Sequence, residues 1–217
     1  MDEDPLDQHN IVRMQGHIHF RNHQCFIFEL LQTDLFEYLR ENNFEGLPES
    51  KIQSYCYQLL TALSFLEERH VIHCDLKPEN ILITDATYDR LKMVDFGSGC
   101  FKSEQVYTYV QSRFYRAPEV ILRIPYSEKV DIWSLGCILA ELFTGEPIFP
   151  GNNEQEQLEY IMELGGIFPE TMIDKSRKKE HYFDTDYSPF LIEDPQYGIL
   201  RIPESRSIKV AVPSKDK

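Results

Sequence analysis

Asp75, Lys77, Asn80 and Asp95 stand close together in the chain, and their types and spacing suit phosphoryl transfer. That reaction needs a carboxylate to orient an attacking hydroxyl, a cation beside the moving group, and hard oxygen ligands for magnesium. Asp75 is the candidate base, Lys77 would neutralise charge developing on the transferred group, and Asn80 and Asp95 would offer oxygens to the metal. They belong to His73-Cys74-Asp75-Leu76-Lys77-Pro78-Glu79-Asn80 and Asp95-Phe96-Gly97, with Ala117-Pro118-Glu119 further along. Each run alone is weak, because Asp and Gly are ordinary turn residues and a tripeptide recurs by chance. Three runs in one order with workable gaps are a much stronger signal.

The elements that must hold these groups can be read from hydrophobic spacing. His17-Ile18-His19-Phe20 and Cys25-Phe26-Ile27-Phe28 flank the polar Arg21-Asn22-His23-Gln24, which predicts two antiparallel strands. Asp34 followed by Glu37 predicts a capping box for a short helix with Leu35, Phe36 and Leu39 on its apolar side, closed by Gly46-Leu47-Pro48. From Glu49 to Arg69, Ile52, Tyr55, Cys56, Leu59, Leu60, Leu63 and Leu66 recur at spacings of three and four, a long amphipathic helix. Val71-Ile72, Ile81-Leu82-Ile83 and the returning Leu91-Lys92-Met93-Val94 predict a short hairpin with the chemical motifs at its ends. Between Val130 and Phe143 apolar residues cover nearly the whole helix circumference, so burial on most sides is expected. A further helix fits Glu154 to Leu164, after which the chain is polar, proline-dotted and aperiodic.

The chain has 217 residues, 42% of them hydrophobic, and its 36 Asp and Glu against 22 Lys and Arg leave a formal charge of −14. Such a balance disfavours nucleic acid as the main partner and favours basic protein segments. No apolar run approaches the ~18 residues that span a bilayer, and Met1-Asp2-Glu3-Asp4-Pro5 lacks a basic signal-like start. Neither a membrane nor a secretory route is expected, and the reading is a cytoplasmic protein with the nucleus left open. The basic run Lys175-Ser176-Arg177-Lys178-Lys179 is read as a solvated face. The five cysteines (Cys25, Cys56, Cys74, Cys100, Cys137) are scattered without a C-x-x-C pair, so reduced thiols are expected.

The three motifs resemble the signatures of eukaryotic-type protein kinases. Small-molecule kinases related to aminoglycoside phosphotransferases share the Asp and Asn pattern, but Ala117-Pro118-Glu119 and Asp131-Ile132-Trp133-Ser134-Leu135-Gly136 argue against them. The stretch Val106-Tyr107-Thr108-Tyr109-Val110-Gln111-Ser112-Arg113-Phe114-Tyr115-Arg116, with His73-Cys74-Asp75 and Trp133 to Glu141, closely resembles the dual-specificity tyrosine-phosphorylation-regulated kinases, especially their second class. The resemblance runs from about His9 to Tyr187. It implies an ATP- and magnesium-dependent enzyme that phosphorylates serine and threonine of protein substrates, with a preference for a following proline and an upstream arginine. It also implies autophosphorylation of Tyr109, and Arg113 and Arg116 are then the nearest cations for that phosphate, since Cys74 stands where most kinases have arginine. Phe28 would be the gatekeeper, backbone groups of Glu29 and Leu31 would address adenine, Leu82 and Val94 would floor and back the pocket, and Glu79, Asn80 and Asp95 would border the nucleotide. Core packing is the competing reading for the strand residues among these. Asp131 would hold the catalytic-loop backbone, and Glu141 is read as structural.

The pattern departs from that family at both ends. No G-x-G-x-x-G loop, Val-Ala-Ile-Lys strand or partner glutamate precedes the hinge, and the acidic Asp2, Glu3 and Asp4 would repel a triphosphate. After about Arg206 the last helices are missing, with the arginine that would pair with Glu119. The expected fold is α+β and kinase-like: a two-strand remnant of the small β lobe and hinge over residues 1–31, a mainly helical large lobe over 32–188, and an irregular tail over 189–217. The expected function is protein phosphorylation by a truncated kinase; the alternative is a catalytically dead fragment that binds other proteins. Oligomeric state is open.

Overall fold

The alternation of His17-Ile18-His19-Phe20 becomes strand β1 (Met14–Phe20), paired antiparallel with β2 (His23–Phe28). The turn is tighter than the four polar residues suggested. Arg21 (φ 46°) and Asn22 (φ 63°) both enter the left-handed region, so two residues suffice and His23 and Gln24 join the strand. A computed structural model describes residues 4–85, 87–105, 107–193 and 198–213; Asp2, Glu3, Val106 and parts of the expected tail lie outside them. Phe20, Phe26, Ile27 and Phe28 stay exposed on this ribbon, as two strands cannot bury their own apolar face.

Helix α1 (Leu35–Glu41) is capped by Asp34, whose side chain accepts the Glu37 amide at 2.8 Å. Half of the expected box forms, because the Glu37 carboxylate pairs with Arg40. Helix α2 (Glu49–Glu68) buries Ile52, Tyr55, Leu59, Ala62, Leu63 and Leu66, while Leu60 faces solvent. Beyond it run β3 (Val71–Ile72), β4 (Ile81–Ile83), β5 (Leu91–Met93) and β6 (Cys100–Phe101), with β4 antiparallel to β5 and β3 to β6. The segment before β1 also joins β5, through Val12 N to Met93 O (2.9 Å) and Met93 N to Asn10 O (2.8 Å).

A short α3 (Pro118–Ile121) leads to α4 (Lys129–Thr144), which crosses α2 at the centre of the core. Burial of α4 is less complete than its composition suggests, since Ile132 is 41% exposed. Two of its buried positions are carboxylates, Asp131 and Glu141. Helix α5 (Glu154–Gly165) opens on Asn153, whose side chain accepts the Glu156 amide at 2.9 Å. Among its described residues, the stretch read as aperiodic contains three four-residue helices: α6 (Glu170–Ile173), α7 (Lys179–Tyr182) and α8 (Ile208–Ala211). Ile173, Tyr182 and Phe183 enter the core there, so tertiary contacts sustain helices too short to show a period. The architecture is mainly helical α+β with the ribbon at one end, as expected.

Candidate active site

The loop from β3 to β4 carries Asp75, Lys77 and Asn80, and a buried carboxylate shapes it. Asp131 of α4 accepts the His73 amide (2.7 Å) and the Cys74 amide (3.0 Å). Burial pushes the Asp131 carboxyl above its ordinary value, against the two amides, which favour the charged form. Cys74 is held at φ 64°, a conformation that costs a non-glycine residue about 1–3 kcal/mol and needs such anchoring. His73 completes the brace: its Nε2 lies 2.9 Å from Val94 O and its Nδ1 3.2 Å from the Asp75 amide. Since an amide can only donate, Nδ1 accepts and Nε2 carries the hydrogen donated to Val94.

The Asp75 carboxylate is held from two sides. Its Oδ1 accepts the Ser112 amide (2.9 Å) and hydroxyl (2.7 Å), and its Oδ2 lies 3.2 Å from Lys77 Nζ. Lys77 reaches Ser112 Oγ as well, at 3.4 Å. Ser112 is a site residue that sequence reasoning missed; only its place beside the singled-out arginine and tyrosine run hinted at it. The turn Pro78–Asn80 brings Asn80 back so that its Nδ2 donates to Asp75 O at 2.8 Å. Its Oδ1 has no protein donor among the described residues. Val94 N bonds Asn80 O at 3.0 Å and so sets Asp95 beside the loop. Asp95 has φ 61°, and its Oδ1 accepts the Gly97 amide at 3.1 Å. A Cβ at Gly97 would lie 3.0 Å from that same Oδ1, so a larger residue there would press on the Asp95 carboxylate. Asn80 and Asp95 thus offer hard oxygens, a set that fits magnesium held jointly with phosphates. Glu79 is exposed beside them.

A cavity of about 790 Å³ lies between the ribbon and the β4–β5 hairpin, lined by Phe28, Glu29, Leu31, Leu82, Val94 and Asp95 among others. Phe28 is exposed and Leu82 and Val94 are half-buried, so they line a space and are not core. The Glu29 carbonyl and Leu31 amide carry no backbone hydrogen bond among the described residues, while Glu29 N donates to Arg13 O and Gln32 N to Ile83 O. The Glu29 side chain binds the Arg13 amide (2.8 Å) and buried Lys92 (2.5 Å). Lys92 Nζ also meets both carboxylate oxygens of Asp7, at 2.7 and 2.9 Å. Asp4 is turned to its own neighbours, the Gln8 and His9 amides.

The loop before α3 is organised by Gln111, whose buried amide bonds Val130 O (2.9 Å), Ser134 Oγ (2.9 Å) and the Ala117 amide (2.9 Å). Tyr109 is half exposed, and Arg116 Nη1 donates to its hydroxyl at 2.8 Å. Arg113 does not join them. Its Nη1 donates to Gly151 O (3.4 Å) and Asn152 O (2.7 Å), ahead of α5, and Arg123 takes the second place over the Tyr109 ring, 4.4 Å from its centroid. Glu119 meets no cation among the described residues, and burial pushes its carboxyl up. It borders a second cavity of about 680 Å³, lined largely by apolar residues of α4, α5 and the segment that follows.

A family model described as "Protein kinase domain" matches residues 4–193. The chain is 49% identical over 212 residues to "Serine/threonine-protein kinase ppk5" of Schizosaccharomyces pombe, covering 98% of this chain and 25% of that protein. It is 48% identical over 213 residues to "DYRK-family kinase pom1" of the same organism, covering 98% and 20%. To "Dual specificity tyrosine-phosphorylation-regulated kinase 4" of Homo sapiens it is 43% identical over 214 residues, covering 99% and 41%. The chain therefore spans between about a fifth and two fifths of the length of these relatives.

Proposed function

Since this chain belongs to the protein kinase family, with relatives among its dual-specificity tyrosine-phosphorylation-regulated members, we propose that it carries the phosphoryl-transfer centre of an enzyme that phosphorylates serine and threonine of proteins and Tyr109 of its own loop. The observation that carries this reading is the Asp75 carboxylate, fixed by Ser112 on one oxygen and set 3.2 Å from Lys77 on the other. Asp75 orients the acceptor hydroxyl and takes its proton as the hydroxyl oxygen bonds to the γ-phosphorus of ATP; the bond to the bridging oxygen breaks and ADP leaves. Lys77 balances the charge that gathers on the moving group. Glu29 carbonyl and Leu31 amide address the adenine edge, while Phe28, Leu82 and Val94 enclose its faces. Magnesium, when bound, draws charge from the phosphate oxygens, and Asn80 and Asp95 are the residues that would hold it. Glu79 lies at the rim of the same region.

The net charge of −14 supports a basic segment as the protein substrate. Peptide mass spectrometry tests the reading on the chain expressed in bacteria lacking a tyrosine kinase for this site, beside Asp75→Asn. Phosphate on Tyr109 in the parent alone supports it. Phosphate in both samples, or in neither, overturns it for this chain.

A further inference from the structure

Two guanidinium groups cover Tyr109, with Arg116 at 4.0 Å and Arg123 at 4.4 Å from the ring centroid. Arg116 has little to spare for a new ligand. Its Nε donates to Val110 O (2.9 Å) and Gln111 O (3.1 Å), and its Nη2 to Gln111 O (2.6 Å), leaving Nη1 on the tyrosine hydroxyl. Arg113 is spent on the carbonyls ahead of α5. Arg123 is differently placed: its Nη1 makes a long bond to Thr108 O (3.3 Å), and its Nη2 lies 3.1 Å from Glu154 Oε1. That same carboxylate oxygen is 4.0 Å from Arg116 Nη1. Two cations therefore share one acidic side chain beside a half-exposed tyrosine.

The backbone adds a second observation. Arg123 sits at φ 57°, a conformation that costs a residue with a Cβ about 1–3 kcal/mol. Glu154 has another donor in reserve, the Tyr182 hydroxyl 3.3 Å from its Oε2, and it lies in the first turn of α5, where negative charge is favoured.

We propose that Arg123 and Glu154 form an exchange pair for phosphorylated Tyr109: the carboxylate holds the Arg123 fork until a phosphate on Tyr109 takes it, and Glu154 then falls back on Tyr182. This rests on the reading of Tyr109 as a phosphorylated residue and adds how the phosphate is held. A phosphate brings roughly −1.5 to −2 charge and several acceptor oxygens, which outcompete a single carboxylate for the paired donors of an arginine.

The test installs phosphotyrosine at position 109 of the full chain during synthesis, so that it does not depend on autophosphorylation. Release of inorganic phosphate by a tyrosine phosphatase is then timed for the parent, Arg123→Gly and Glu154→Gln, and for two short unfolded peptides spanning the same phosphotyrosine and position 123, one with arginine there and one with glycine. Glycine relieves the positive φ, so that variant folds. The expected result is release about tenfold faster from folded Arg123→Gly than from the parent, no acceleration in Glu154→Gln, and equal rates for the two peptides. Equal rates for folded Arg123→Gly and the parent would overturn the proposal, as would an equal acceleration in Glu154→Gln. If instead autophosphorylation fails while this protection stands, the reading of the enzyme falls and the phosphate cradle does not.

Discussion

Ser112 positions Asp75 through two donors on one carboxylate oxygen, so its contribution is to orientation. Ser112→Ala should lower kcat by roughly ten- to a hundredfold with a thermal midpoint within about 2 °C of the parent, and Ser112→Thr should restore most of the loss. Steady-state kinetics beside a melting curve checks this; a matched fall in stability would make the residue merely structural. Asp131 satisfies two loop amides from within the core, and Asp131→Ala should cost about 2–4 kcal/mol in urea unfolding and stop phosphoryl transfer. Glu141 gives a pH signature. Burial raises its carboxyl to about 7 from 4.5, although the Tyr115 hydroxyl donates to it at 2.6 Å. The folded state then binds more protons than the unfolded one between those values, so this group's share of stability is whole below about pH 4.5 and lost as pH rises through about 7. Glu141→Gln keeps an acceptor for Tyr115 and should gain on the parent by roughly 2–3 kcal/mol between pH 5 and pH 8. A difference that stays flat with pH would refute the assignment.

Among the elements, Gly145 ends α4 at φ 88°, and a Cβ there would lie 1.7 Å from Phe44 O. Gly145→Ala should therefore destabilise the fold by roughly 3 kcal/mol or more, measured by chemical unfolding, because backbone must move on both sides. Helix α2 was legible in the sequence, since hydrophobic spacing is a local property. The β4–β5 hairpin was legible for the same reason, and so was the grouping of Asp75, Asn80 and Asp95 at its ends. What escaped was whatever depends on distant partners. Helices α6, α7 and α8 have no period of their own, and the ribbon turn shortened because two residues accepted left-handed φ. Arg113 is nearer to Tyr109 in the chain than Arg116 is, yet Arg123 arrived in its place once α3 turned the backbone.

At the scale of the whole molecule, the excess of acid should make encounters with arginine-rich peptides sensitive to salt. KM for such a peptide should rise several-fold between about 0.05 and 0.5 M salt, against little change for an uncharged one, in a coupled kinetic assay. The exposed apolar ribbon walls one side of the first cavity, the second cavity lies against α4 and α5, and the ribbon is tied to the rest of the fold by few contacts. Lys92 is one of those ties, and it has a dynamic corollary. Its single ammonium is shared by Asp7, which precedes the ribbon, and Glu29, which follows it. If either end lifted away alone, the other carboxylate would still pin the ammonium in place, so the two ends gain most by detaching together. Amide protons from about Asn10 to Gln32 should accordingly trade with deuterium in one concerted opening, with a single shared protection, where a loosely attached hairpin would fray from its tip.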